Sequence, residues 1–150
     1  MTTISAATPA DVPALADLLA VLYAQEAEFI FERTTQERGL RLILAAPALG
    51  QIFVARDEER LLGMVNLLFT ISTAEGAPAC WLEDVVVRPE SRGVGIGGQL
   101  VEHAIDYARR HGFRRISLLT DRTNEAAQRF YARHGFVSSP MAPLRLRLFD

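Results

Sequence analysis

The chain contains no lysine; all 16 of its basic residues are arginine. It has one cysteine, Cys80, and one tryptophan, Trp81. A single thiol excludes an internal disulfide framework and a cysteine-built metal cluster. The three histidines, His103, His111 and His134, have no ligand-like spacing, so no metal is expected. No apolar run approaches the ~18 residues of a spanning helix. Residues 1–15 lack the basic end and apolar stretch of a secretory signal. These absences point to the reducing cytoplasm and to no membrane partner. Net charge is only −2, which gives no general drive toward nucleic acid.

What is present fits one domain spanning residues 1–150. The length suits a single core, and 49% of residues are apolar against 23% charged. Charge is unevenly spread: residues 1–87 carry −7 and residues 88–133 carry +4. The first half thus favours a cationic ligand and the second an anionic one, unless these are simply solvated surface charges.

Residues 3–6 read as a short strand. Thr8, Pro9 and Asp11 then have the spacing of a capping box with proline at the first helical position. Val12, Leu15, Leu18, Leu19 and Leu22 follow with helical period. A second helix is expected over 35–45. Strands are expected over 51–56 and 61–72 with a hairpin turn at 57–60, then over 79–87 after a turn at 74–78. In that last strand Val85, Val86 and Val87 look buried on both faces.

The period then changes. Ile96, Leu100, Val101, Ala104, Ile105 and Ala108 form one apolar helical face, closed by Gly112. A strand over 115–119, a helix over 124–134 ended by Gly135, and strands over 136–138 and 144–149 complete the pattern. The fold class is mixed α/β (α+β), in the order β-α-α-β-β-β-α-β-α-β-β.

The most informative stretch runs from Trp81 to Gly98. A strand ends, a loop turns, and a helix begins among Gly93, Gly95, Gly97 and Gly98. Glycine lets the backbone approach a ligand closely, and the free N–H groups at a helix start favour an anion. This is the chemistry of a pyrophosphate cradle, with the amides of Gly93, Val94, Gly95, Gly97 and Gly98 as donors. Arg92, Arg88 and Arg122 are candidates to meet phosphates. One reading is a dinucleotide site, since Gly93, Gly95 and Gly98 satisfy G-x-G-x-x-G and Asp121 follows a strand. Against it, five residues separate Val87 from Gly93, and the cluster comes after three strands.

The other reading is coenzyme A. Arg92-Gly93-Val94-Gly95-Ile96-Gly97 resembles the [Q/R]-x-x-G-x-[G/A] signature of the GNAT superfamily of acetyltransferases. Asn124-Glu125-Ala126-Ala127-Gln128-Arg129-Phe130-Tyr131, continuing to Gly135-Phe136, resembles that family's second signature. Their order and spacing also match, so the likeness covers nearly the whole chain. Leu82-Glu83-Asp84 before an apolar run further resembles the diamine and polyamine branch.

The resemblance implies a GNAT-like acyltransferase fold, with a central, mostly antiparallel sheet flanked by helices. It implies acetyl transfer from acetyl-CoA to a primary amine of a small molecule. Residues 92–98, including Ile96, together with Asn124 and Tyr131, would hold the coenzyme. A splayed strand at Val85–Val87 would offer an N–H to the thioester oxygen. Glu83 is the expected general base, with Asp84 as the alternative, and Tyr131 the general acid. A non-catalytic coenzyme A sensor on the same scaffold is the third reading. The family also admits a homodimer.

Cys80 reads as a small buried residue rather than a nucleophile. His134 reads as a complement to a helix C-terminus, and Trp81 as core or pocket wall. Tyr23, Glu26, Glu28, Phe29, Phe31 and Glu32 form an acidic, aromatic stretch suited to a cationic acceptor.

Overall fold

A computed structural model describes residues 1–26 and 28–150. The described residues gather into two compact units, Met1–Leu119 and Thr120–Asp150.

In the first unit, β1 (Thr2–Ala6), β2 (Gly50–Asp57), β3 (Arg60–Ser72), β4 (Ala77–Val87) and β5 (Ile116–Ser117) form one sheet in the order β1-β2-β3-β4-β5. The first three pairings are antiparallel and only β4–β5 is parallel. The chain order explains this. Hairpins at 57–60 and 72–77 link β2 to β3 and β3 to β4, whereas β5 returns only after a helix and so lies parallel.

Helices α1 (Val12–Ala24), α2 (Arg33–Leu44) and α3 (Ile96–Arg110) complete the unit. Alternation along β2 separates two buried faces. Ile52 and Val54 join α1 and α2 residues such as Leu15, Leu18 and Leu40 in one core. Phe53 points the other way, its ring 4.6 Å from His103 and 5.2 Å from Tyr107 of α3. All six apolar positions expected on the α3 face are buried.

The capping box forms, with a short 3-10 turn (Pro9–Asp11) preceding α1. The Asp11 carboxylate accepts from the Thr8 N–H at 2.9 Å and from its hydroxyl at 3.4 Å. Arg56 Nη2 of β2 donates to both Asp11 oxygens at 3.0 Å. One buried carboxylate thus caps a helix and pins it to the sheet. Asp11→Ala orphans the Thr8 amide and the Arg56 head together. Loss of such a cap and partly buried pair costs about 2–3 kcal/mol, or roughly 5–10 °C in Tm at this chain length. Urea denaturation of the variant checks this.

The sequence expectations fail in three places. Val86 is buried, but Val85 and Val87 are only half-buried, because β4 lies near the edge of its sheet rather than between two full ladders. The strand expected over 115–119 shrinks to the two residues that pair with β4. In the second unit, α4 (Glu125–Arg133) forms as expected, but the strands over 136–138 and 144–149 do not. Leu144, Leu146 and Leu148 are exposed. Alternation selects which side chains share a face; a strand also needs a partner backbone.

Candidate active site

β3 and β4 carry a β-bulge. Met64 pairs with Val86 and Asn66 with Glu83, so Val65 alone faces both Asp84 and Val85. Asp84 takes up the extra residue with φ 55°, a left-handed conformation that only glycine, asparagine and aspartate adopt readily. The bulge interrupts the strict alternation of β4 at this point. Both carboxylates act on one group, the Tyr23 hydroxyl of α1.

That hydroxyl is pushed up to about 12 by burial, then by the charges of Asp84, Glu26 and Glu83. Glu83 itself is raised above the usual carboxylate range by partial desolvation and then by its neighbour Asp84. Asp84 is also raised, by burial, against the opposing effect of Asn66 Nδ2, which donates to Asp84 Oδ2 at 3.3 Å. Asn66 is 2% exposed, and its Oδ1 has no hydrogen-bond partner. Asn66 and Tyr23 therefore join the site, and sequence reading had not singled out Asn66. The signal was one amide amid the apolar run of β3, which burial makes costly without a partner.

The acidic wall narrows. Tyr23 and Phe29 rings lie 5.5 Å apart. Phe31 instead packs on the core, and Glu32 accepts from Thr35 Oγ1 at 2.8 Å at the start of α2. Tyr23 remains beside the β4 carboxylates, and Glu26 acts on the same hydroxyl. The Cys80 thiol is raised to about 11 by burial, so it stays a protonated core group. Trp81 is 39% exposed.

β4 pairs with β5 only at Cys80 and Trp81. From Leu82 onward, past Glu83 to Val87, the β5-facing edge of β4 has no strand beside it among the described residues. Such an edge offers main-chain donors and acceptors to an extended ligand.

Beyond β4 the chain makes a 3-10 turn at Pro89–Ser91 before α3. Arg88 Nε donates to Leu61 O at 2.6 Å and Arg92 Nε to Val87 O at 2.9 Å. The Gln25 amide oxygen, turned toward the guanidinium, accepts from Arg92 at 2.6 and 3.1 Å. Both arginines thus brace the loop. Gly93 (φ 85°) and Gly95 (φ 89°) take left-handed conformations and α3 starts at Ile96. Among the described residues, the N–H groups of Gly93, Val94, Gly95, Ile96, Gly97 and Gly98 have no acceptor within the chain. This is the donor set that an anionic linkage requires. The interposed turn and the antiparallel sheet do not fit a dinucleotide fold, which needs a tight turn in a parallel sheet.

A Cβ on Gly95 meets nothing within 4 Å, so conformation alone demands glycine there. Gly95→Ala adds about 1–2 kcal/mol of strain, which a shift of the loop relieves by misaiming the amides. Affinity for acetyl-CoA falls about tenfold in titration calorimetry while the thermal midpoint moves little. Unchanged affinity removes these amides from the binding site.

In the second unit, Asn124 caps α4, its Oδ1 accepting from the Ala127 N–H at 3.0 Å. Tyr131 lies on α4 with its ring edge-on to Phe130 (5.1 Å) and Phe136 (5.7 Å). His134 is the C-cap residue. The Arg122 carbonyl accepts from Gln128 Nε2 at 2.9 Å.

A sheet opened beside a carboxylate pair and followed by an amide-lined helix start is an architecture that holds an acyl carrier and a nucleophile acceptor. The chain matches the acetyltransferase (GNAT) family over residues 16–136 and belongs to it. It is similar to the N-acetyltransferase YhfO of Bacillus subtilis, with 28% identity over 79% of this chain and 80% of the relative. It also resembles the solved structure of a transcriptional regulator from Bacillus halodurans C-125. Identity there is 30%, the TM-score 0.84, and coverage 99% of this chain and 100% of that one. An acetyltransferase from Clostridium acetobutylicum solved with acetyl-CoA shares the fold at 18% identity, with TM-score 0.82 and coverage of 99% and 97%. The protein is an acetyltransferase of this family, transferring acetyl from acetyl-CoA to an amine. No helix among the described residues is long and apolar enough to cross a membrane.

Proposed function

We propose that residues 1–150 act as one N-acetyltransferase domain on a small primary amine that carries further positive charge, such as a polyamine. The observation that carries the coenzyme half is the run of unpartnered N–H groups from Gly93 to Gly98. The acceptor half rests on the acidic groups Glu26 and Glu83, both of which act electrostatically on Tyr23. Charge of one sign at the mouth of a site concentrates ligands of the other.

Acetyl-CoA, when bound, supplies the thioester carbonyl. The amides of residues 93–98 hold its diphosphate, with Arg92 bracing their loop and Asn124 ordering the start of α4. The open edge of β4 at Val85, Val86 and Val87 pairs with the extended arm and donates an N–H to the carbonyl oxygen. One such donor is worth about 10²–10³ in rate. Glu83 removes a proton from the amine, whose reference pKa is roughly 10.4. Tyr131, whose phenolic O–H is a hydrogen-bond donor, returns one to the departing sulfur.

A thermal-shift comparison of acetyl-CoA, coenzyme A and NAD(P), followed by thiol-release assays over an amine panel, tests the proposal. Acetyl-CoA raises the midpoint, and di- and polyamines outperform neutral-tailed amines. Stabilisation by NAD(P) alone overturns the reading. Binding without turnover on every amine makes the protein a coenzyme A sensor.

A further inference from the structure

Among the described residues, the buried side-chain polar atom without a hydrogen-bond partner is Asn66 Oδ1, while Asn66 Nδ2 donates to Asp84 Oδ2. An ionised carboxylate accepts and cannot donate. With Asp84 ionised, Asn66 Nδ2 is satisfied and Oδ1 is left orphaned inside the protein, a loss of the full desolvation penalty for that atom. Turning the amide over orphans Nδ2 and sets two acceptors against each other. A neutral carboxyl closes the pair: Nδ2–H donates to one carboxyl oxygen while the other oxygen carries the proton and donates to Oδ1.

We propose that Asp84 is held as a neutral acid sharing its proton with Asn66 Oδ1, which makes it a positioning residue and leaves Glu83 as the ionised carboxylate of the site. The inference rests on the proposed role of Glu83 as base. The groups around Asp84 agree with it. From β4 it faces Glu83, and from α1 Tyr23 with Glu26 beside it. Among the described residues no arginine forms an ion pair with it, and burial is the largest influence on its carboxyl. The amide–acid ring also explains why aspartate occupies the left-handed bulge position. The bulge turns the side chain back onto β3, where the ring locks it. A neutral Asp84 relieves Glu83 of a like charge on the adjacent residue, so Glu83 ionises more readily and stands ready to take a proton.

The test is the pH dependence of unfolding in wild type and Asp84→Asn, since asparagine keeps the left-handed conformation. The folded wild type retains a proton that the unfolded chain loses above the ordinary aspartate pKa. Its unfolding constant therefore rises about tenfold per pH unit relative to the variant, from that pKa up to the raised one. The relative stability of wild type is greatest at low pH and lost as pH rises. A neutral-carboxyl infrared band at pH 7, absent in Asp84→Asn, is the second expected result, and the acid limb of the rate profile stays near its wild-type position. A pH-independent stability difference, or a missing band, overturns the proposal. Glu83→Gln separates the two readings: undiminished turnover removes Glu83 as base but leaves the unfolding and infrared results to stand or fall alone.

Discussion

Glu83→Gln lowers turnover at neutral pH by about 10²–10³-fold, within the usual range for a positioned base, and leaves the affinity for acetyl-CoA near wild type. Glutamine keeps the size of the side chain and its place beside the bulge, so packing is unaltered and only proton acceptance is lost. The pH profile carries the stronger signature. Partial desolvation, the largest influence on it, raises the Glu83 carboxyl above its ordinary value. In wild type, kcat/KM falls as pH drops through that raised value, because the base takes up a proton. The variant has no such limb. Its deficit also narrows as pH climbs toward the pKa of the amine, roughly 10.4, since an amine already neutral needs no base. A constant deficit at all pH values would mean that Glu83 holds the acceptor rather than deprotonating it.

The parts of the fold legible in the sequence are those set by one-sided burial. The six apolar residues of α3 repeat at helical period because that helix meets the sheet along a single stripe, and every one is buried. The capping box was legible because Thr8 and Asp11 interact three residues apart. The bulge was not, because it is a mismatch between β3 and β4 at Val65, and no local period encodes a difference between two strands. Arg92 drew notice from its place in the glycine loop, but its contacts with Val87 and, through the turned amide, with Gln25 were not legible there. The Gln25 contact spans 67 positions of sequence. The site was therefore half legible. Residues 83–98 stand together in the chain, while Tyr23 and Asn66 join them only through the packing of α1 and the pairing of β3.

Tyr131→Phe removes one oxygen atom and retains the ring that packs edge-on to Phe130 and Phe136. The helix and its cap at Asn124 are thereby preserved, and the thermal midpoint moves little. Turnover falls about 10²-fold, in the range for loss of a general acid, with KM for acetyl-CoA within about twofold. This split separates proton donation from a packing role, because a tyrosine that served only as an apolar neighbour is replaced by phenylalanine without kinetic cost. The leaving group sharpens the distinction. An ordinary thiol has a pKa of roughly 8.5, so its anion departs unaided far more readily than an alkoxide does. Help from a phenol therefore matters least for the most acidic thiol. Acetyl thioesters built on thiols of falling pKa should narrow the gap between wild type and Tyr131→Phe. A gap that is the same for every thiol places the role of Tyr131 before sulfur departs, and an absent gap removes it from the chemistry.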